Sequence, residues 1–313
     1  MNKFSLTAYD TSLSGTWDSV VSKSKNGNFL HLRGYMDYHA YRFHERSIII
    51  DKKGEAVAVF PCNQVGRQVI SHGGLTYGGL IYGNNLHAFE ILEIFDILMR
   101  HYKEAGVHSL LYKAIPHIFH RYPAEEDLYA LFRFGAKIVR RDISSAIQIR
   151  DRLKYSDSRK NTIRKAKKQG VVAQEGDFLA EYHALLSTVL EKFKSRPIHS
   201  LSELQLLKSR FPDNIRVFCA FKDARLLGGA IVYDFGHVAH TQYLAASEEG
   251  REIGALDYTL AHLLDGSFSN HQYFSFGIST ENGGMHLNEG LIFQKEGFGG
   301  RGIVHDFYEI DLG

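Results

Sequence analysis

The sequence predicts an α/β (α+β) protein built as two similar lobes, on three observations. The chain has 313 residues, more than one hydrophobic core usually organises. The order helix, hairpin, strand, helix, strand is read once in each half, the pattern of a duplicated α/β unit. With 44% apolar and 12% aromatic residues, the chain can fill two cores and is not disordered.

In the first lobe, taken as residues 1–150, a helix is expected around Trp17, Val20 and Val21, followed by a polar turn at Asn26-Gly27-Asn28. The runs Ser47–Ile50 and Ala56–Pro61 flank the charged turn Asp51–Glu55 and read as a hairpin. Leu86–Ala105 reads as a long helix, with Phe89, Leu92, Phe95 and Tyr102 as positions for a core. A strand at Ser109–Ala114, a helix at Glu125–Phe134 and a strand at Ala136–Ile149 complete this lobe.

The second lobe, residues 151–313, repeats the order after a basic linker, 154–168. Its first helix places Phe178, Tyr182, Leu185, Val189 and Phe193 on one stripe. Arg216–Phe221 and Leu226–Tyr233 form the hairpin, and His237–Ala246 and Tyr273–Ser279 are further strands, with Val304–Leu312 the last. Between the third and fourth of these strands lies Ser247–Ala255, a Gly- and Arg-bearing turn that opens a helix at Leu256–Leu264. A strand, a short turn and a helix suit anion binding, because the first helical turn leaves backbone N–H groups unpaired. Gly254 lets the backbone approach a phosphate closely and Arg251 adds a fixed charge.

This turn resembles the Arg/Gln-x-x-Gly-x-Gly/Ala turn with which acyltransferases of the GNAT superfamily hold the pyrophosphate of acyl-CoA. Two further segments resemble the FemAB-like branch of that superfamily. One is the Lys-x-x-Phe-Gly run at Lys295–Gly299 with the Phe276-Gly277 strand end. The other is Ser158–Val171, similar to that branch's Arg-x-x-Ile-Arg-Lys-Ala-x-x-x-Gly-Val segment. The resemblance implies tandem GNAT-like lobes, each a mixed β-sheet flanked by helices. It implies an N-acyltransferase that joins an acyl-CoA donor to an amine of an amino-sugar or cell-envelope precursor, by direct transfer. The donor would lie against Tyr243, Leu244, Ala245, Arg251, Glu252, Ile253, Gly254 and Ala255. An inserted coiled-coil helical pair, frequent among relatives with tRNA donors, is absent from the sequence.

Acyl transfer to an amine needs a polarised carbonyl, a proton acceptor and a stabilised leaving group. Glu281, just past the Phe-Gly strand end, is the first sequence candidate for the proton and His240 the second. Strict alternation puts His240 and Gln242 on one side of their strand, Thr241 and Tyr243 on the other. Lys295 matches the family Lys that neutralises substrate charge near the reacting centre. Acceptor-side candidates are Tyr35, Asp37 and His39 in a polar aromatic stretch, His72 and Tyr77 in the Gly-rich run 71–80, and Gln242. The acceptor itself reads as a small-molecule, saccharide or peptide amine.

A net charge of +2 makes no global case for nucleic acid. The linker is a local exception: seven cations between Lys154 and Lys168 face only Asp157. It reads either as a solvated helix or as a rim for a polyanion such as tRNA or anionic lipid. Two rival functions follow, an aminoacyl-tRNA-dependent transfer to a peptidoglycan precursor and a non-catalytic binding module. The 17 histidines are scattered without ligand spacing, so no metal is expected. Two lone cysteines, no signal-peptide core near Met1 and no run of 18 apolar residues give the expectation of a cytoplasmic protein that contacts membranes at most peripherally.

Overall fold

A computed structural model of the chain describes residues 3–313 and resolves into two compact units. One unit runs to Asp142 and regains 282–285 and 304–313; the other holds 143–281 and 286–303. The division therefore falls before residue 150, and the end of the chain does not stay with its own half. The reason is backbone pairing. The final strand, Arg301–Asp311, aligns antiparallel with Ser109–Lys113, from Phe307 opposite Lys113 to Asp311 opposite Ser109.

In the first unit, Phe4–Ala8, Ile48–Lys52, Glu55–Phe60 and Ile81–Tyr82 form an antiparallel sheet in that order. The helix Ala88–Glu104 brings Ile91, Ile94, Phe95, Leu98 and Tyr102 into one core with Ile50, Val57 and Phe60. Phe89, expected as a core position, is exposed: it lies outside the arc those residues define. The strand Gln68–Ile70 runs parallel to Ser109–Lys113.

In the second unit, Val172–Glu175, Ile215–Lys222, Arg225–Asp234 and Val238–Ala246 are antiparallel neighbours. Tyr273–Ile278 joins parallel to Val238–Ala246, and 144–148 closes the row antiparallel. The hairpin turn is tight because Asp223 and Ala224 both take positive φ, the geometry that matches strand twist. The basic run is a helix, Asp157–Lys168, N-capped by Ser156. Its buried Ala166 packs with Val171, Leu227, Ile253 and Ala255, so one side is docked and the rest is solvated. A helix at Leu201–Arg210 was not anticipated. Among the described residues no helix is long and apolar enough to cross a membrane. Among them, too, no group of three or more His, Cys, Asp or Glu is placed to hold a metal ion.

Candidate functional site

The second unit contains a fork. Val238, Ala239 and His240 pair in parallel with Tyr273, Phe274 and Ser275, and there the pairing ends. Beyond it one strand stays with the hairpin, Leu244 opposite Ala230 and Ala245 opposite Gly229. The other leans the opposite way, with Ile278 opposite Ser144. The edge of Gln242–Ala246 turned to the fork has no strand partner among the described residues. Backbone groups on such an edge are obligatory hydrogen bonders and can receive an extended ligand.

A bulge decides which side chains face each way here. Ile231 pairs with Tyr243 but Val232 with Thr241, so Gln242 is the extra residue. Ala239 and Leu244 consequently reach the same core, although five residues apart. His240 and Tyr243, their neighbours, share the other face, which corrects the strict alternation expected from sequence. His240 Nδ1 lies 3.0 Å from Ser275 Oγ. Its ring borders Gly277, where an added Cβ would sit 3.4 Å from Cε1. The Tyr243 hydroxyl lies 2.7 Å from His199 Nδ1 and accepts the His199 backbone N–H at 3.3 Å. Burial raises the Tyr243 pKa above the usual phenol value, opposed chiefly by the His199 backbone N–H. His199 comes from the connection between two helices and carried no local sequence signal.

The expected turn is a short helix, Glu248–Ile253, capped by Ser247, and a second helix, Ala255–His262, with Gly254 between them at φ +90. The Gly250, Arg251 and Gly254 N–H groups bond Ser247 Oγ, Ser247 O and Gly250 O. They form no open anion nest. Gly254 is required for a different approach: a Cβ there would lie 2.3 Å from Thr162 Cγ2 and 3.0 Å from Thr162 O. Helix Asp157–Lys168 thus packs onto this bend. Arg159 crosses to Asp257 at 2.7 Å, a largely buried pair, and Lys165 Nζ donates to Glu252 O at 2.7 Å. Burial holds the Asp257 carboxyl above its usual range against the pull of Arg159.

Beside this bend is a cavity of about 380 Å³, lined among others by Arg159, Thr162, Arg251, Gly254, Asp257 and Gln294. Arg159 is neutralised by Asp257, whereas the exposed Arg251 guanidinium has no ion-pair partner among the described residues. The helix Ala255–His262 has no side-chain N-cap, so its positive end also contributes. Arg251 and Gly254 therefore reach the same cavity, while Ile253 and Ala255 are buried in the core beneath it. Glu252 is exposed.

Lys295, on the helix Glu289–Gly297, is buried and donates to Gly277 O, Ile278 O and Ser279 Oγ at 2.7–2.8 Å. An ammonium has three donors, and all are used to hold the strand end of the fork. Burial pushes its pKa down to about 8. Glu281 is exposed on the short hairpin that follows and accepts a 2.8 Å bond from Asn288 Nδ2. His240 lies at the root of the fork, whereas Glu281 lies on the hairpin beyond its strand end.

The acceptor-side candidates of the first unit are packed rather than open. Tyr35, His39, His72 and Tyr77 are buried. Tyr77 receives Asn28 Nδ2 at 3.1 Å, and the His39 and His72 ring centroids are 5.8 Å apart. Asp37 is half-buried and paired with Arg33 at 2.7 Å. This unit has its own parallel pair, Gln68–Ile70 with Ser109–Leu111, and the Gly-rich run folds back over its end. Ser71 N–H reaches Leu111 O, Gly78 N–H reaches Lys113 O, and Lys113 Nζ donates to Leu75 O. Burial pushes the Lys113 amine down to about 7.

These paired lobes and the single open fork invite comparison with known proteins. FemX matches over 98% of this chain and 97% of its own, with a TM-score of 0.68 and 12% identity. The chain has the FemX-like tandem GNAT fold. L-PGS from Bacillus licheniformis matches 82% of each chain at TM-score 0.59 and 12% identity. A tandem GNAT protein from the clavulanic acid biosynthesis pathway matches 99% of each at 0.51 and 11%. No protein-family model matches the sequence, and no curated protein matches it. The open fork, the Arg251 cavity and the Lys295 anchor all lie in the second unit of this chain.

Proposed function

We infer that the protein is an N-acyltransferase whose second unit binds an activated acyl donor and passes the acyl group directly to an amine. The observation that carries this reading is the fork. Its unpaired strand edge at Gln242–Ala246 leads into a short helix, Glu248–Ile253, that carries Arg251 in its last turn beside a cavity. An acyl carbonyl laid along that edge meets backbone N–H donors, which stabilise the oxyanion formed on attack. A donor phosphate in the cavity meets Arg251 and the helix end. Acyl-CoA is the donor this favours, and no metal is invoked.

The amine nitrogen attacks the carbonyl carbon, the bond to the thiol sulfur breaks, and the amine loses one proton. His240 takes that proton, being at the fork root with its orientation fixed by Ser275. Lys295 acts by holding Gly277, Ile278 and Ser279 in place. The acceptor belongs to the class of amino-sugar, peptide or cell-envelope amines, and the setting is cytoplasmic.

One observation favours a second donor. Arg164, Lys167 and Lys168 are exposed on the helix that lines the cavity through Arg159 and Thr162, and none has an ion-pair partner among the described residues. A continuous basic surface of this kind suits the backbone of an aminoacyl-tRNA. Calorimetric titration with CoA and acetyl-CoA at low and high salt separates the two. Saturable binding near one site per chain supports the thioester. Absence of binding, with charged tRNA bound in a steeply salt-dependent way, replaces it.

A further inference from the structure

We propose that the connection Lys192–His199 docks the protein onto an anionic lipid bilayer. Both of its ends are fixed. Phe193 N–H reaches Leu190 O at 2.9 Å, Lys194 N–H reaches Glu191 O at 3.0 Å and Ser195 N–H reaches Leu190 O at 3.1 Å. Lys194 makes this turn in the left-handed region, φ +54, where a side chain is uncommon. At the other end Ser200 and Glu203 form a reciprocal cap, and the His199 ring is held on Tyr243.

Between these anchors the chain presents apolar groups and cations together. Phe193 is 69% exposed and Ile198 76% exposed. The helical stripe that buries Tyr182 and Leu186 extends in sequence to Phe193, yet the turn carries Phe193 out to water. Lys192, Lys194 and Arg196 are exposed beside them. Lys194 and Arg196 have no carboxylate partner among the described residues, and Lys192 has only Glu248 at 3.4 Å. Large apolar side chains set among cations, two of them without a carboxylate partner among the described residues, match an interface with a negative headgroup layer over an apolar interior. A single-stranded nucleic acid would use Phe193 for stacking but finds no aromatic face on Ile198, the more exposed of the two.

The inference does not rest on the transfer chemistry, so its test reads lipid binding alone. The full chain is sedimented with vesicles of phosphatidylglycerol and phosphatidylcholine, and with phosphatidylcholine alone. The Phe193→Trp variant reports insertion by its emission against one native tryptophan, the buried Trp17. Binding to the anionic vesicles only, a shift of that emission to shorter wavelength, and weakening on the order of tenfold in the double variant Lys194→Glu, Arg196→Glu are expected. Circular dichroism confirms that each variant is folded. No sedimentation with anionic vesicles overturns the proposal, as does binding indifferent to all three positions. A shift produced by single-stranded RNA but not by vesicles assigns the surface to nucleic acid and equally overturns it.

Discussion

Replacing Gly254 with Ala tests how the helix carrying the basic run is seated on the bend between Glu248–Ile253 and Ala255–His262, and the cost has two parts. The residue sits at φ +90, a region where a Cβ costs roughly 1–2 kcal/mol. The new methyl would lie 2.3 Å from Thr162 Cγ2 and 3.0 Å from Thr162 O, so helix and bend must separate. Overpacking of this kind costs about 1–3 kcal/mol. The sum is roughly 2–5 kcal/mol, measured as a shift in urea denaturation followed by circular dichroism. Thr162→Ser removes Cγ2 while its hydroxyl keeps the bond to Ser158 O. In the double variant it should return most of the steric part, leaving the tight contact with Thr162 O and the backbone part, about 1–2 kcal/mol. A loss below about 1 kcal/mol in Gly254→Ala, or no recovery with Thr162→Ser, refutes this account of the glycine.

Arg251→Ala should weaken acetyl-CoA binding by roughly tenfold in calorimetry with an unchanged denaturation midpoint, since its guanidinium holds no structural partner. His240→Gln should lower turnover by about a hundredfold while donor affinity stays constant; Glu281→Gln should leave the rate within about threefold. An effect confined to Glu281 would move the proton acceptor to the hairpin. Lys295→Met should lower turnover and loosen the strand end, read as faster amide exchange at Gly277–Ser279, without weakening the donor. Asp127 is fully buried under the Tyr112 hydroxyl, and burial raises its carboxyl to about 7 from 3.8. The folded state retains a proton the unfolded chain has lost, so stability falls as pH rises across that window, by roughly 4 kcal/mol. Asp127→Asn should flatten that dependence in denaturation measured at several pH values.

Much of the architecture was legible because it rests on local pattern. The hairpins show as apolar runs around Asp51–Glu55 and Lys222–Arg225, and the helix Ala88–Glu104 shows by its period. What sequence could not carry was long-range. The bulge at Gln242 depends on how Tyr243 and Thr241 register against Ile231 and Val232. His199 acquires meaning only when a helix connection brings it to Tyr243, 44 residues later. Gly254 was read as a place where backbone approaches a phosphate, and sequence did not name Thr162, the group that packs against it in the structure. The return of the last strand to Ser109–Lys113 is likewise a pairing choice that neither strand's composition specifies.

The two forks explain why one unit carries the candidate site. Each unit has a parallel strand pair in the same place of the repeated order. In the first unit, Ser71 and Gly78 supply the hydrogen bonds that Leu111 and Lys113 need, so the strand end is satisfied by the chain itself. Gly78 has to be glycine there, because a Cβ would lie 2.2 Å from Ser71 O. Buried backbone groups tolerate only one set of partners, and a fork filled this way has no edge left for a ligand. In the second unit the corresponding segment leaves as the helix Glu248–Ile253, which turns away and satisfies its own N–H groups. The edge at Gln242–Ala246 is then left without a strand partner among the described residues, and Arg251 stands in the last turn of the helix that follows it. Two units of like element order thus carry two forks, and the segment after the strand fills one of them and leaves the other without a strand partner among the described residues.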